Sequence, residues 1–475
     1  MEKWGTVSQW LREADNLVWG PGMLALLLGT GIYLMVSLDF LPLKNLKFAL
    51  LCAIGAESKR KTKEKHPEGI SSFSSLTTEL AATIGTGNIV GVATAMVLGG
   101  PGSLIWMMLS SLIGMATKLV ESMLAVKYRS RNTKNEFVGG PMYTMANGLP
   151  NRKIGRFLGG IFAFFAVMAS FGMGNMTQSN SIADAMKVTF HVPVYGTGLV
   201  VTVITILVVL GGIGSISKVT KVMVPFMGIF YLLGTFWVIL THLPNLPYGI
   251  FQMIGMAFSP RAVCGGIGGQ ICANGAQALR WGVSRGVFSN EAGLGAAGIS
   301  AAAADTKDYV KQGYISMTGV FLDTMVICFV TGLAIAASGM LGTVDNEGGL
   351  LTGTALIIAV FQTTFGEYGA VFVSICIALF AFATIVGWAY QGEKAFEFLA
   401  GTRYCMYYRF FYALVTFVGA VCSLQAVWDF SDICNALMAV PNLICVLLLS
   451  KEACEEIKGY KRNGDYNEHK KYCEF

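Results

Sequence analysis

Thr83-Ile84-Gly85-Thr86-Gly87-Asn88 stands inside an apolar stretch, 77–100, long enough to enter a bilayer. Two glycines two apart, flanked by hydroxyls and an amide, lower helix propensity in the middle of the segment. In hydrocarbon an opened helical turn leaves N–H and C=O groups without partners, at a cost of several kcal/mol each. It persists only where protein, a water-filled cavity or a ligand satisfies it. The chemistry these residues offer is recognition rather than bond-making: backbone donors and acceptors, hydroxyls and an amide gathered at membrane depth. Interrupted helices of this kind mark substrate and ion sites in transporters.

A second stretch has the same character. Residues 281–298 carry five glycines around Phe288-Ser289-Asn290-Glu291. Close helix packing through small residues is the other reading of such glycines, but the adjacent Asn290 and Glu291 at membrane depth favour a second interruption.

The elements that must position these two stretches are apolar spans. Of 475 residues, 54% are hydrophobic and only 13% charged, about half the charge content of a soluble domain. The pattern predicts an all-α polytopic membrane protein with eleven spans, near 18–41, 72–98, 103–125, 157–186, 195–213, 222–241, 270–300, 313–338, 367–391, 408–424 and 430–450. Two shorter apolar pieces, 249–258 and 350–363, are expected not to cross. No polar linker divides the series, so residues 1–475 read as one membrane transport domain. The first apolar stretch exceeds a signal-peptide core and has a hardly basic flank, which predicts a retained span.

Setting that first span aside numbers the rest one to ten, and the interrupted spans become the first and the sixth. This is the arrangement of two five-helix halves of opposed topology: 18–41 as an extra helix, 72–241 as a first repeat, 270–450 as a second, and 451–475 as a basic tail. Charge gives the orientation. With the loop after the first span cytoplasmic, segments 43–69 and 126–156 hold seven Lys/Arg each, and the tail six. All cytoplasmic segments together hold 27 of 34. The expected placement is a multi-pass protein of the cell membrane with its amino terminus outside and its carboxyl tail in the cytoplasm.

Soluble motifs fail on context. Gly85-Thr86-Gly87-Asn88-Ile89-Val90-Gly91 approaches a dinucleotide loop without the strand and helix that loop requires, and no Walker A sequence is present. Asn175-Met176-Thr177 reads as a glycosylation acceptor but falls inside a span. Eleven cysteines form no CxxC pair, and several, such as Cys328, Cys376 and Cys422, lie in spans as buried thiols. The four histidines form no catalytic grouping, and the net charge of +6 belongs to loops between spans and says nothing of nucleic acid.

Four segments carry a family likeness. They are Thr-Ile-Gly-Thr-Gly-Asn-Ile-Val-Gly-Val-Ala-Thr-Ala at 83–95, Gly139-Gly140-Pro141-Met142-Tyr143, Arg-Trp-Gly-Val-Ser-Arg-Gly-Val-Phe-Ser-Asn-Glu-Ala-Gly-Leu-Gly at 280–295, and Gly387-Trp388 with Gly392-Glu393-Lys394. Together they strongly resemble the alanine-or-glycine:cation symporter family, and the likeness runs from the first span to about residue 450. The resemblance implies sodium-coupled uptake of alanine or glycine. It also implies the LeuT-like five-plus-five inverted repeat of amino-acid/polyamine/cation transporters, here preceded by one extra helix.

A zwitterionic amino acid needs N–H donors for its carboxylate and acceptors for its ammonium. The helix opening at Gly85-Thr86-Gly87 points free N–H groups and the positive end of the following half-helix at the cavity. The carboxylate is assigned to the backbone at Thr86 and Gly87, beside Asn88. Ammonium acceptors are carbonyls of the break and of Phe288-Ser289-Asn290. Gln178 is either a side-chain partner of the substrate or an interhelical link. Phe171, Phe288 and Trp388 are expected to close around a methyl or hydrogen side chain. Sodium takes hard oxygens. By analogy with the wider fold, one site uses the carbonyls of Ala81 and Ile84 with Ala381 and the Thr384 hydroxyl. Relatives often carry a hydroxyl residue where this chain has Ala383. A second, weaker site involves Thr83, Asn88, Ser289 and Asp323, although Asp323 also reads as an interhelical hydrogen-bond partner.

Other charges near the spans have plainer readings. Glu79 faces either the intracellular pathway or, the favoured reading, interfacial water; Lys118 and Glu121 are spaced to pair on one helix face, and Glu393 and Lys394 form a solvated pair. Arg285 and Glu291 are expected in gating or structural ion pairs. The implied partners are a small amino acid, a co-transported sodium ion and the lipid bilayer, with no nucleic acid, obligate protein partner or permanently bound cofactor. Proton coupling through Glu79 or Asp323 is the alternative within transport. An amino-acid-gated channel or sensor is the alternative outside it, and a membrane enzyme is further off for want of a catalytic grouping.

Overall fold

Apolar sequence this long folds as helix, because each helix satisfies its own backbone groups in a medium that offers none. The computed structural model describes residues 2–55, 69–259, 262–266, 269–345, 348–422 and 424–462. Much of the basic segment 43–69, Arg261 and the end of the tail beyond 462 lie outside them. Among the described residues, eight helices are long and apolar enough to cross a membrane: Gln9–Ser37, Ser103–Lys127, Arg152–Phe190, Gly212–Thr241, Tyr309–Ser338, Glu367–Ala400, Thr402–Val421 and Val427–Leu448. Val194–Val209 is apolar but shorter. Leu246–Phe258 and Gly353–Phe365, 13 residues each, are too short to span. Large apolar side chains such as Leu207, Phe226, Leu233 and Phe411 are exposed on outer faces, as a lipid-facing surface requires.

The two interrupted segments take the form their glycines suggest. Ser72–Thr83 starts at Ser71, whose hydroxyl accepts from the Ser74 N–H, and runs until Ile84 leaves helical geometry. A single 3₁₀ turn, Thr86–Asn88, follows before helix resumes as Val90–Leu98. The second interruption lies between Gly275–Asn290 and Ala296–Ala302. There Glu291 adopts a left-handed conformation (φ 58°), and Gly293 and Gly295 follow at φ 91° and 82°, a run that glycine alone tolerates well.

Two features were not anticipated. Arg152–Phe190 and Tyr309–Ser338 each contain a π turn, Gly172–Met176 and Phe321–Cys328, and such turns gather at functional sites. Two short hairpins, Ser130–Arg131 with Phe137–Val138 and Ala262–Gly266 with Gly269–Ala273, add strands to connections between spans. A final helix, Ser450–Arg462, follows the last span, so the tail expected from charge alone is helical in its described part. Tyr309–Val320 and Gly275–Asn290 both pack on Ser103–Lys127.

Candidate functional site

At the first interruption the open turn is closed by side chains. The Gly85 N–H donates to Asn88 Oδ1 at 2.8 Å. The Thr86 N–H and hydroxyl both donate to Gln178 Oε1, at 3.1 and 2.9 Å. Gln178 is held in turn by its own Nε2, which donates 2.9 Å to the Met173 carbonyl in the first π turn. Gln178 therefore links the break to the neighbouring span. Glycine at 85 is a steric requirement: a Cβ there would sit 2.3 Å from Thr384 Oγ1 and 3.1 Å from Gln178 Oε1.

The helix end that leads into the second interruption faces the first. A Cβ on Gly87 would meet Phe288 at 3.2 Å and the Ser289 backbone at 3.3 Å. Between them lies Asp323, fully buried in the second π turn. It accepts from Asn88 Nδ2 at 2.6 Å, Ser289 Oγ at 2.8 Å and Thr324 Oγ1 at 2.8 Å. Asn290 donates to Thr324 at 3.0 Å and accepts from the Ala292 N–H at 2.9 Å. On the other side of the first break, Thr384 Oγ1 lies 3.5 Å from the Ile84 carbonyl and 3.3 Å from that of Phe380; Ala81 and Ala381 are both buried. Asn88, Ser289 and Asp323 thus come together on one side, and Ile84 and Thr384 on the other. Thr83 bonds back to the Glu79 carbonyl at 3.3 Å.

The aromatic residues divide. Phe288 is buried and stacked on Trp428 (4.8 Å between centroids). Trp388 is wholly buried and donates 2.7 Å to Glu291 Oε1. The Phe171 ring packs instead into a cluster with Tyr408, Phe411 and Tyr412.

Several charges differ from the sequence reading. Glu79 is buried rather than interfacial and pairs with Lys118 at 3.3 Å. Lys118 does not pair with Glu121, whose carboxylate accepts from Asn442 at 3.0 Å. Side chains three apart on one helix turned to different neighbours, because each neighbour packs on a different flank. Arg285 pairs with Asp432 through both terminal guanidinium nitrogens, at 3.1 and 2.7 Å, while Glu291 takes the indole of Trp388 rather than an ion-pair partner. Glu393 is bound by Arg409 (2.6 and 2.8 Å), and Lys394 by Glu397 and Glu136 (2.8 and 3.0 Å), so neither is a freely solvated group. Asp432 was missed although its signal, a carboxylate inside the last apolar span, was present in the sequence.

Where the open turn at 85–88 faces the end of helix Gly275–Asn290, a buried carboxylate meets hydroxyl and amide groups, an arrangement suited to holding a small polar ligand rather than to making bonds. The crystal structure of MhsT in complex with L-phenylalanine shares the fold, with a TM-score of 0.58 at 13% identity over 80% of this chain and 89% of that one. A manganese transporter of Eremococcus coleocola shares it at 0.51, again at 13% identity, covering 80% and 76% of the two chains. The sequence model of the sodium:alanine symporter family matches residues 4–474, and the chain belongs to that family. It is 45% identical to the sodium/alanine symporter AgcS of Methanococcus maripaludis, over 95% of this chain and 96% of the relative. The probable sodium/glutamine symporter GlnT of Bacillus subtilis is 36% identical over 94% and 90%. The putative sodium/proton-dependent alanine carrier YrbD of the same organism is 31% identical over 96% and 93%.

Proposed function

We propose that this chain takes up a small neutral amino acid, alanine or glycine, with sodium, by alternating access. The observation that carries the reading is the meeting of the open turn at Gly87 with Phe288-Ser289, the last helical turn before the second interruption. Substrate carboxylate goes to the N–H groups of Thr86 and Gly87, with Gln178 exchanging the Thr86 donors for it. The ammonium goes to carbonyls around Phe288-Ser289-Asn290. Phe288 and Trp388 bound the side-chain space, and exclusion by volume carries selectivity, since one methylene alone is worth only about 1–3 kcal/mol.

One sodium site is assigned to the Ala81, Ile84 and Ala381 carbonyls and the Thr384 hydroxyl, supported by the approach of Thr384 to Ile84. A second is assigned to Thr83, Asn88, Ser289 and Asp323, supported by the hydrogen bonds that converge on the Asp323 carboxylate. The eight long helices, Val194–Val209 and the two interrupted segments make the eleven spans of an extra helix plus two five-helix repeats. The amino terminus is placed outside, on the asymmetry of Lys and Arg.

Uptake of labelled alanine into proteoliposomes tests this, with an inward gradient of sodium compared with potassium and choline at fixed pH. Accumulation is expected with sodium alone. Equal uptake in all three salts rejects sodium coupling. Uptake driven by a proton gradient without sodium supports the second reading, which the relative named for both ions and the buried Asp323 favour.

A further inference from the structure

Lys118 lies in the middle of Ser103–Lys127 with no exposed surface. Burying an ammonium costs several kcal/mol unless its donors are met, so its partners are informative. Nζ lies 3.3 Å from Glu79 Oε1 and donates 3.0 Å to the carbonyl oxygen of Asn290. Asn290 is the last helical residue of Gly275–Asn290, immediately before the left-handed turn at Glu291. A helix end carries about half a negative charge on carbonyls that lack intrahelical donors. The other carboxylates around Lys118 are committed elsewhere through one oxygen each: Glu121 to Asn442 and Glu291 to Trp388. Glu79 takes a further bond from Ser316 at 2.7 Å.

We infer that Lys118 is a resident cation for the second interruption, a positioning residue that holds the Asn290 carbonyl end where Phe288, Ser289 and Asn290 face the open turn at Gly87. It rests on the amino-acid reading of those facing turns. Its bond to Asn290 does the positioning, and its pairing with Glu79 ties the first half-helix to the same point. A bare Glu79–Lys118 structural pair makes a different prediction, because removing both members of such a pair relieves the unpaired charge that a single removal leaves.

The test is alanine binding by the purified chain in sodium, with hydrogen–deuterium exchange of the peptide covering 286–296 measured on the same samples without alanine. Lys118→Arg, which keeps the charge and donors, is expected to remain near the unaltered chain in both. Lys118→Met is expected to weaken alanine binding by about tenfold to a hundredfold, the range for losing a charge-assisted hydrogen bond. It is also expected to speed exchange at 286–296. The double variant Lys118→Met/Glu79→Gln should keep both defects. Restoration of binding and protection by the double variant overturns the inference, and so does a Lys118→Met chain with unchanged exchange. Failure of the amino-acid reading shows differently: the unaltered chain binds no alanine, while the exchange comparison still decides the role of Lys118.

Discussion

Asp323 and Thr384 stand on opposite sides of one opened turn, and the turn exists because position 85 has no side chain. Gly85 brings its backbone against Thr384 and Gln178 at distances a methyl group cannot share. Gly85→Ala is therefore expected to push Thr384 away from the Ile84 carbonyl and Gln178 from Thr86. Overpacking of this kind costs about 1–3 kcal/mol, which a bundle of this size withstands. The expected result is a folded, monodisperse protein with a lowered melting temperature and little sodium-driven alanine uptake; uptake at the unaltered level would mean that the turn has room the distances deny. Gly85, Thr86, Gly87 and Asn88 were legible in the sequence, as hydroxyl and amide groups beside paired glycines in an apolar run, whereas Thr384 came only from the analogy with the wider fold. Their pairings were not. Glu79 looked like a group at the water interface because its partner, Lys118, lies 39 positions along the chain on another helix.

The π turns show what an element adds. In Gly172–Met176 side chains bond the carbonyls of the widened helix: Gln178 donates to Met173, Thr177 to Gly172 at 3.1 Å, and Tyr412 to Gly174 at 3.1 Å. The same turn brings Gly174 against Trp388, where an added Cβ would lie 2.4 Å from the tryptophan Cβ and 2.5 Å from its Cγ. Gly174→Ala is expected to displace Trp388 from Glu291 and lower stability by about 1–3 kcal/mol. A thermal unfolding midpoint several degrees lower, with weaker alanine binding, is the expected measurement; an unchanged midpoint would mean that helix Glu367–Ala400 yields at no cost. Neither π turn was legible beforehand, because hydrophobic periodicity over thirty residues scarcely changes when one turn takes an extra residue.

At the scale of the molecule, the connection after Ser103–Lys127 fastens elements far apart in the chain. Arg129 donates to the carbonyls of Ala302, Ala304 and Thr306, and its guanidinium lies 3.7 Å from the Phe137 ring centroid. Glu136 reaches Lys394 at the end of Glu367–Ala400. Partial burial disfavours the Glu136 carboxylate, but the Lys394 ammonium and a bond from Asn132 outweigh it, and its pKa lies below the usual Glu value. A lowered folded value means the latch stabilises the fold fully above the ordinary Glu pKa of about 4.3. The contribution is lost as pH falls from there through the folded value. Exchange protection of 130–138 should thus fall on acidification below about pH 4 in the unaltered chain. Glu136→Gln should show lower protection at neutral pH and a flatter acid response; identical profiles would leave the latch without a role.

Composition and apolar run length determined by themselves that this chain is a helical membrane protein, because hydrocarbon leaves the backbone no other satisfied state of that length. Glycine and hydroxyl residues at 83–88 and 281–298 determined where two helices open, because local propensity acts through immediate neighbours. Only the tertiary structure decided which polar groups meet. Trp388 reaches Glu291 across 97 positions and Arg285 reaches Asp432 across 147. A buried polar atom accepts whichever partner the packing brings within about 3 Å, and spacing along one chain does not encode which helix that partner rides on.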